Sequence, residues 1–205
     1  MILLTEISVI FIAILLIWHS LKYLGKELSV LFWVSAGILG FFREWLVSTY
    51  LPLYTYGEFT IVVDSIPIIM FVFWSSFFYV SMVWTENILG TKMLHWKNEK
   101  QQAYQYLFVV MMSISFLIET FASQFGMVHW NETPLFKLWG GTPVIAPFGY
   151  GILALAFLIT FRSVNNNNNR PLSTKMAILL LSSPLIIIVQ LGLLFLIKSS
   201  LSFLS

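Results

Sequence analysis

The sequence predicts an all-α fold, a polytopic membrane helical bundle of about six transmembrane helices with an internal parallel repeat. Three observations carry this: apolar runs of membrane-spanning length, scarcity of charge within them, and a block of sequence that returns later in the chain. Of 205 residues 59% are hydrophobic and 10% charged, with mean hydropathy +0.87, against about 25% charged residues in soluble domains. The stretches between apolar runs are too short to hold a soluble domain, so residues 1–205 are read as a single integral membrane domain. A net charge of +2, dispersed along the chain, gives no clustered basic footprint for nucleic acid. The absence of cysteine removes disulfides, thiolate nucleophiles and cluster ligation.

A bilayer-crossing helix needs about 17 to 25 mainly apolar residues, and such segments fall at 4–24, 28–48, 61–84, 103–125, 143–162 and 174–198. The first is apolar apart from Glu6 and His19, and stops at Lys22 and the Gly25-Lys26-Glu27 turn. It lacks a basic start and a small-residue cleavage site, so it is read as a retained helix rather than a signal peptide. Helix two carries Ala36, Gly40, Glu44 and Ser48 on one i, i+4 row, whose small members let a neighbouring backbone approach. Residues 50–60, with Pro52 and Gly57 and no Lys or Arg, form a connection.

Helix three is expected to begin near Asp64, with Pro67 in its first turns and with Pro67, Phe71 and Trp74 on one face. Helix four repeats the row of helix two as Ser115, Glu119 and Ser123. In helix five Pro143, Pro147 and Tyr150 share a face flanked by Gly149 and Gly151, so a break near Pro147 is expected. Irregular backbone at membrane depth is tolerated where it lines a cavity. Lys92, His95, Lys97, Glu99 and Lys100 make a charged loop, and Asn165 to Asn169 a polar one on the same side. Helix six contains Pro184 and Gln190 and has no counterpart in the repeat.

The repeat spans 41–84 and 116–160. Phe41-Phe42-Arg43-Glu44-Trp45-Leu46-Val47-Ser48 realigns on Phe116-Leu117-Ile118-Glu119-Thr120-Phe121-Ala122-Ser123. Asp64-Ser65-Ile66-Pro67 realigns on Gly140-Gly141-Thr142-Pro143, each proline followed seven residues on by Trp74 or Tyr150. Helices two and four run the same way, so the pseudo-axis lies along the membrane normal, and helices two to five are expected to form a pseudo-symmetric core. Lys22, Lys26, Lys92, Lys97, Lys100, Arg162, Arg170 and Lys175 fall on one side, against Lys137, Lys198 and the helix-end Arg43. The positive-inside rule then puts both termini on the non-cytoplasmic side, with Glu44, Tyr54, Asp64, Glu119 and His129 toward the outer leaflet.

Placing a carboxylate in hydrocarbon costs about 2.5 to 3.5 kcal/mol at a helix centre, so Glu44 and Glu119 are the first candidates for catalysis. One buried carboxyl held neutral can act as acid while the other acts as base, and the alternative is that each ties its helix to Ser48, Ser123 or Arg43. Asp64 either joins this site or caps helix three, and His129 either carries protons or sits in an interfacial belt beside Trp130. His19, His95 and His129 have no two-ligand spacing on a helix, so no metal motif of the usual type is present. A site built from Glu44, Glu119, Asp64 and His129 is the one remaining route to a metal, and none is expected. Tyr54, Tyr56, Trp74, Trp130, Trp139 and Tyr150 cluster within the repeats, as an interfacial belt or as aromatic faces for a cationic species.

Glu44, Tyr54-Thr55-Tyr56, Ile66-Pro67-Ile68 and Trp74, followed by Glu119 through Gly126, Gly141-Thr142-Pro143-Val144 and Tyr150, resemble a carotenoid-biosynthesis membrane family. That family includes bisanhydrobacterioruberin and gamma-carotene hydratases, and the resemblance covers residues 41–151. The second copy departs from it, with His129-Trp130-Asn131 in place of Tyr-x-Tyr and Tyr150 in place of Trp. The resemblance implies cofactor-free, acid-catalysed addition of water across the terminal double bond of a long isoprenoid. In that reading Glu44, Glu119, Asp64 and His129 are catalytic, and Tyr54, Tyr56, Pro67, Trp74, Trp130, Pro143 and Tyr150 bind substrate. The partner would be a membrane lipid or long-chain isoprenoid, with a homo-oligomer also allowed. The proline–glutamate motif of small membrane carotenoid cyclases is not matched. A proton-coupled small-solute transporter and a non-catalytic lipid-binding subunit are the alternatives from other classes.

Overall fold

The computed structural model describes residues 2–51, 53–92, 101–131, 141–166 and 169–202. Its helices are α1 (Ile2–Tyr23), α2 (Lys26–Tyr50), α3 (Ile69–Leu89), α4 (Gln101–Gln124), α5 (Ile145–Asn165) and α6 (Leu172–Ser202). All six are long and apolar enough to cross a bilayer, and the chain is an integral membrane protein. Pro52, His95, Lys97, Glu99, Lys100, Lys137, Trp139, Gly140 and two residues of the asparagine run lie outside the described residues.

Packing follows the chain: α2 lies against α3, α3 against α4, α4 against α5 and α5 against α6, and α6 returns to α2. The expected core of helices two to five is therefore closed by α6. Helix α1 stands outside the ring against α3 and α2, with Glu6, Ala13 and Ser20 as its buried residues. Where α2, α3 and α5 meet, Phe32, Phe78, Phe157 and Phe161 fill the interior. The Phe32 ring sits 5.5 Å from Phe157 and 5.2 Å from Phe161, both edge-on, and Phe78 stacks on Phe157 at 5.0 Å.

The small residues of α2 do what the row implied. A methyl group at Gly37 would come within 2.6 Å of the Phe71 ring, and one at Gly40 would overlap Cβ and Cγ of Trp74. Gly40→Ala is thus expected to push Trp74 off its seat and destabilise the bundle by about 1 to 3 kcal/mol. The readout is the unfolding midpoint in detergent, and an unchanged midpoint would contradict this packing.

Helix α3 starts at Ile69, eight residues later than the apolar run suggested. The preceding residues form a hairpin, β2 (Val62–Val63) with β3 (Ile66–Pro67), pairing Val62 with Pro67 and Val63 with Ile66. Asp64 and Ser65 make its turn at φ +50 and +69, the two left-handed residues of a primed two-residue turn. Short apolar β-branched runs do not separate helix from strand by periodicity. Asp64 therefore does not cap α3; Ile68 holds that position, with no side-chain cap hydrogen bond. Pro67 belongs to the hairpin and not to the helix.

Helix α5 likewise begins at Ile145. Pro143 precedes it, and its carbonyl accepts from Ala146 N at 3.0 Å. Pro147 is the third residue of the helix, where a backbone N–H has no intrahelical partner to lose. The irregularity expected at Pro147 is thus the start of the helix rather than a break within it.

Two further strands were not anticipated. β1 (Tyr54–Tyr56) and β4 (Val128–Trp130) pair antiparallel, Tyr54 with Trp130, Thr55 with His129 and Tyr56 with Val128. Gly57 N to Met127 O at 2.9 Å and Asn131 N to Leu53 O at 2.9 Å extend the ribbon. Gly57 lies against the carbonyl of Gly126, where a side chain would collide. The segments that follow α2 and α4 are thereby joined over one end of the bundle.

Candidate functional site

Beneath the β1–β4 ribbon, α2 places Arg43 and Glu44 in the interior, 4% and 1% exposed. Glu44 Oε1 accepts from Arg43 Nη1 at 2.7 Å and from Trp74 Nε1 at 3.0 Å. Glu44 Oε2 accepts from the hydroxyls of both Tyr54 and Tyr56. Arg43 Nη1 also donates to the Tyr54 hydroxyl at 2.5 Å. Two tyrosines reach one carboxylate because residues two apart in a strand face the same way. Burial, with Glu44 beside them, pushes both phenols well above their ordinary value, so they stay neutral donors.

The same alternation turns Thr55 and its partner His129 outward. His129 is exposed and takes no place in this cluster. Trp130 lies at the rim, its ring 4.9 Å from that of Tyr54. Asp64 is also outside: it is exposed at the hairpin turn and accepts from Trp45 Nε1 at 2.6 Å, fastening the hairpin to α2. Pro67 and Pro143 are buried ahead of α3 and α5.

Glu119, on α4, is 6% exposed and differs from Glu44 in its partners. Tyr150 donates to Oε1 at 2.5 Å, whereas Oε2 is buried with no hydrogen-bond partner. The backbone beside it is pinned from the segment that leads into α5: Thr142 Oγ1 donates to the Glu119 carbonyl at 3.1 Å and meets Ser123 Oγ at 2.9 Å. Trp130 Nε1 donates to Ser123 Oγ at 3.1 Å. Ser123 therefore supports the surroundings of Glu119 rather than its carboxylate. Each glutamate is held by the aromatic residue of the following helix, Glu44 by Trp74 and Glu119 by Tyr150, and those two rings meet edge to face at 5.0 Å.

Arg43, counted at a helix end in the charge tally but also offered as a tie for Glu44, is buried in the interior and is that tie. Its guanidinium carbon lies 5.3 Å from the Tyr150 ring centroid, 5.7 Å from Trp74 and 5.8 Å from Tyr54. The aromatic faces expected to receive a transient cation thus already surround a permanent one. An arginine adjacent to a glutamate inside an apolar helix was the available signal, since neither charge is tolerable there without the other. Arg43 Nε is buried without a partner. Thr142, fully buried, is a residue the sequence did not single out.

The structure thus brings together Glu44, Glu119, Tyr54, Tyr56, Trp74 and Tyr150 around Arg43, and leaves Asp64 and His129 apart. The two carboxylates have different chemical capacities. Glu44 accepts four donors and is the counter-ion of Arg43, so it has no oxygen free to exchange a proton. Glu119 has one. Two further acids are buried elsewhere: Glu6 accepts from Thr60 N at 2.9 Å and from the Thr60 hydroxyl, and Glu86 accepts from Tyr23 at 2.6 Å. Among the described residues no three His, Asp or Glu side chains come together as a metal site would require. No protein-family model, curated protein or solved structure matches the chain.

Proposed function

We propose that this protein is a membrane-embedded acid catalyst that adds water across a terminal double bond of a long isoprenoid, with Glu119 as the proton donor. The observation that carries the reading is the buried, unpartnered Oε2 of Glu119 beside the Tyr150 hydroxyl. Donation from Tyr150 to Oε1 leaves Oε2 to hold the proton. That proton goes to the chain-side CH carbon of the terminal double bond, and the π electrons form the new C–H bond and leave a tertiary cation on the dimethyl carbon at the chain end. A water oxygen then bonds to the cation, and the proton it sheds returns to Oε2, so the acid is regenerated and nothing is oxidised or reduced.

Charge in the cluster supports this order of events. Arg43 and Glu44 offset each other, so a protonated Glu119 leaves the site neutral. As the cation forms, Glu119 becomes its anionic partner in a medium of low dielectric, where that attraction is strong. Glu44 then serves as a positioning residue. It holds Arg43, Tyr54, Tyr56 and Trp74 in place instead of acting as the base. The matching Glu44–Trp74 and Glu119–Tyr150 pairs support reading 41–84 and 116–160 as two copies, one kept for structure and one for reaction.

The orientation completes the proposal. Lys22, Lys26, Lys92, Arg162, Arg170 and Lys175 lie at the helix ends opposite the ribbon, so positive-inside places the ribbon, the site and both termini on the non-cytoplasmic side. The chain has no cysteine, and single cysteines report cleanly. Thr55→Cys is expected to react with an impermeant maleimide in intact cells, and Thr91→Cys only after permeabilisation. The reverse pattern would overturn the orientation.

Expression in a host that accumulates acyclic polyenes, followed by mass analysis of its pigments, tests the function. A product heavier by one water is expected. Unchanged pigments, together with proton-coupled flux in sealed vesicles that Glu119→Gln abolishes, would replace catalysis with transport.

A further inference from the structure

Two lipid-facing grooves meet on the side of the bundle where α1 leans on α2 and α3. The larger, about 660 Å³, lies between Leu3, Ile7 and Ile10 of α1 and Ile69 and Val72 of α3. The smaller, about 510 Å³, runs along Ile38, Phe42 and Trp45 of α2 to the β2–β3 turn. Phe41, Val63 and Phe71 line both, so the two grooves adjoin along these side chains. Each volume falls within the roughly 300 to 1,000 Å³ typical of ligand sites.

We infer that the two adjoining grooves act as one channel that binds the hydrocarbon chain of the substrate, a linear conjugated polyene, and that this channel leads at Phe71 to the acid cluster. The inference rests on the proposed isoprenoid chemistry and names where the chain lies. Three features select this occupant. First, the polar residues of the lining are satisfied without a ligand: Glu6 by Thr60, and Asp64 by Trp45. Nothing there asks for a headgroup, which suits a chain of carbon and hydrogen alone.

Second, the walls carry flat faces. Phe41, Phe42, Trp45 and Phe71 line the channel, and the rings of Phe42 and Trp45 stack at 5.6 Å and 19°. A stiff planar π system can lie against such faces along its length, whereas a saturated chain gains only dispersion contacts. Third, the channel adjoins the site on two of the three helices that line it, α2 and α3. Phe41 precedes Glu44, and Phe71 precedes Trp74, by one helical turn. Trp74 donates to Glu44 and touches Tyr150, which holds Glu119. Trp74, fully buried and outside the lining of both grooves, is thus the side chain that stands between channel and acid.

Helix α1 forms the outer wall of the larger groove. Its polar contacts lie toward its ends, Glu6 to Thr60 at one, and Ser20 to Trp33 and Tyr23 to Glu86 at the other. The larger groove opens in the first half of the helix, beside Ile7 and Ile10.

The test uses purified full-length protein in phosphatidylcholine nanodiscs loaded with lycopene, then repurified. Wild type is expected to retain lycopene. Ile7→Trp and Val72→Trp, which fill the channel from opposite walls, should retain about tenfold less, and Leu181→Trp on the lipid face of α6, 80% exposed, should match wild type. Equal retention by all four proteins, or none by wild type, overturns the inference. So does displacement of lycopene from wild type by squalane as readily as by lycopene itself, since the channel would then accept any hydrocarbon. Selective lycopene retention without hydration in any host leaves this site standing and rejects the catalytic reading instead.

Discussion

Glu119→Gln should lower hydration by about a hundredfold to ten-thousandfold, the range that a positioned general acid supplies. The substitution is close to isosteric, and the amide oxygen can still accept from Tyr150, so the bundle should keep its stability and its polyene binding. What disappears is the proton on Oε2. Glu119→Asp keeps the acid but withdraws it by one methylene from the position Tyr150 fixes at 2.5 Å, and partial activity is expected. Tyr150→Phe removes the donor while keeping the ring and should fall between the two. Quantifying hydrated pigment per unit of folded protein checks the series. A Glu119→Gln variant as active as wild type would remove the acid from the mechanism.

The second large effect is on stability and separates Glu44 from Glu119. Arg43→Met leaves Glu44 as a buried anion without its cation, and Glu44→Gln leaves Arg43 as a buried cation without its anion. Each is expected to cost about 3 to 5 kcal/mol. Arg43→Met with Glu44→Gln removes both charges and should recover much of that loss, because the desolvation of the pair disappears with it. The amide oxygen could still accept from the hydroxyls of Tyr54 and Tyr56, while Trp74 Nε1 would lose its acceptor. Reversible unfolding in bicelles across the four proteins gives the coupling directly. Single variants that each cost less than about 1 kcal/mol would place the pair among exposed salt bridges, contrary to its 4% and 1% exposure.

The spans were legible because hydrophobic length is a strong signal in a chain that must satisfy its backbone inside a bilayer. Glu44 and Glu119 were legible for the complementary reason, as acids in apolar helices. The short strands were not. Tyr54–Tyr56 and Val128–Trp130 are three residues each and separated by the 71 residues from Gly57 to Met127, and nothing local marks them as partners. Their alternation is what decided that Tyr54 and Tyr56 join the site and His129 does not.

Asp64 was misplaced by the same shortage of signal. Ile61-Val62-Val63 extends the apolar run of helix three backwards, and only the two left-handed residues at Asp64 and Ser65 reveal a hairpin. Arg43 was counted with the loop charges because a basic residue near a helix end usually reaches water. The structure turns it inward onto three aromatic rings. The ring-closing contact of α6 with α2 is a tertiary pairing that periodicity does not encode.

The most direct test of the central claim is single-component hydration: purified protein in nanodiscs with lycopene, no added cofactor, in water enriched in heavy oxygen. The account predicts a tertiary alcohol bearing the heavy oxygen, formed by wild type and absent with Glu119→Gln. Bound but unchanged lycopene recovered from a folded wild-type protein would contradict it.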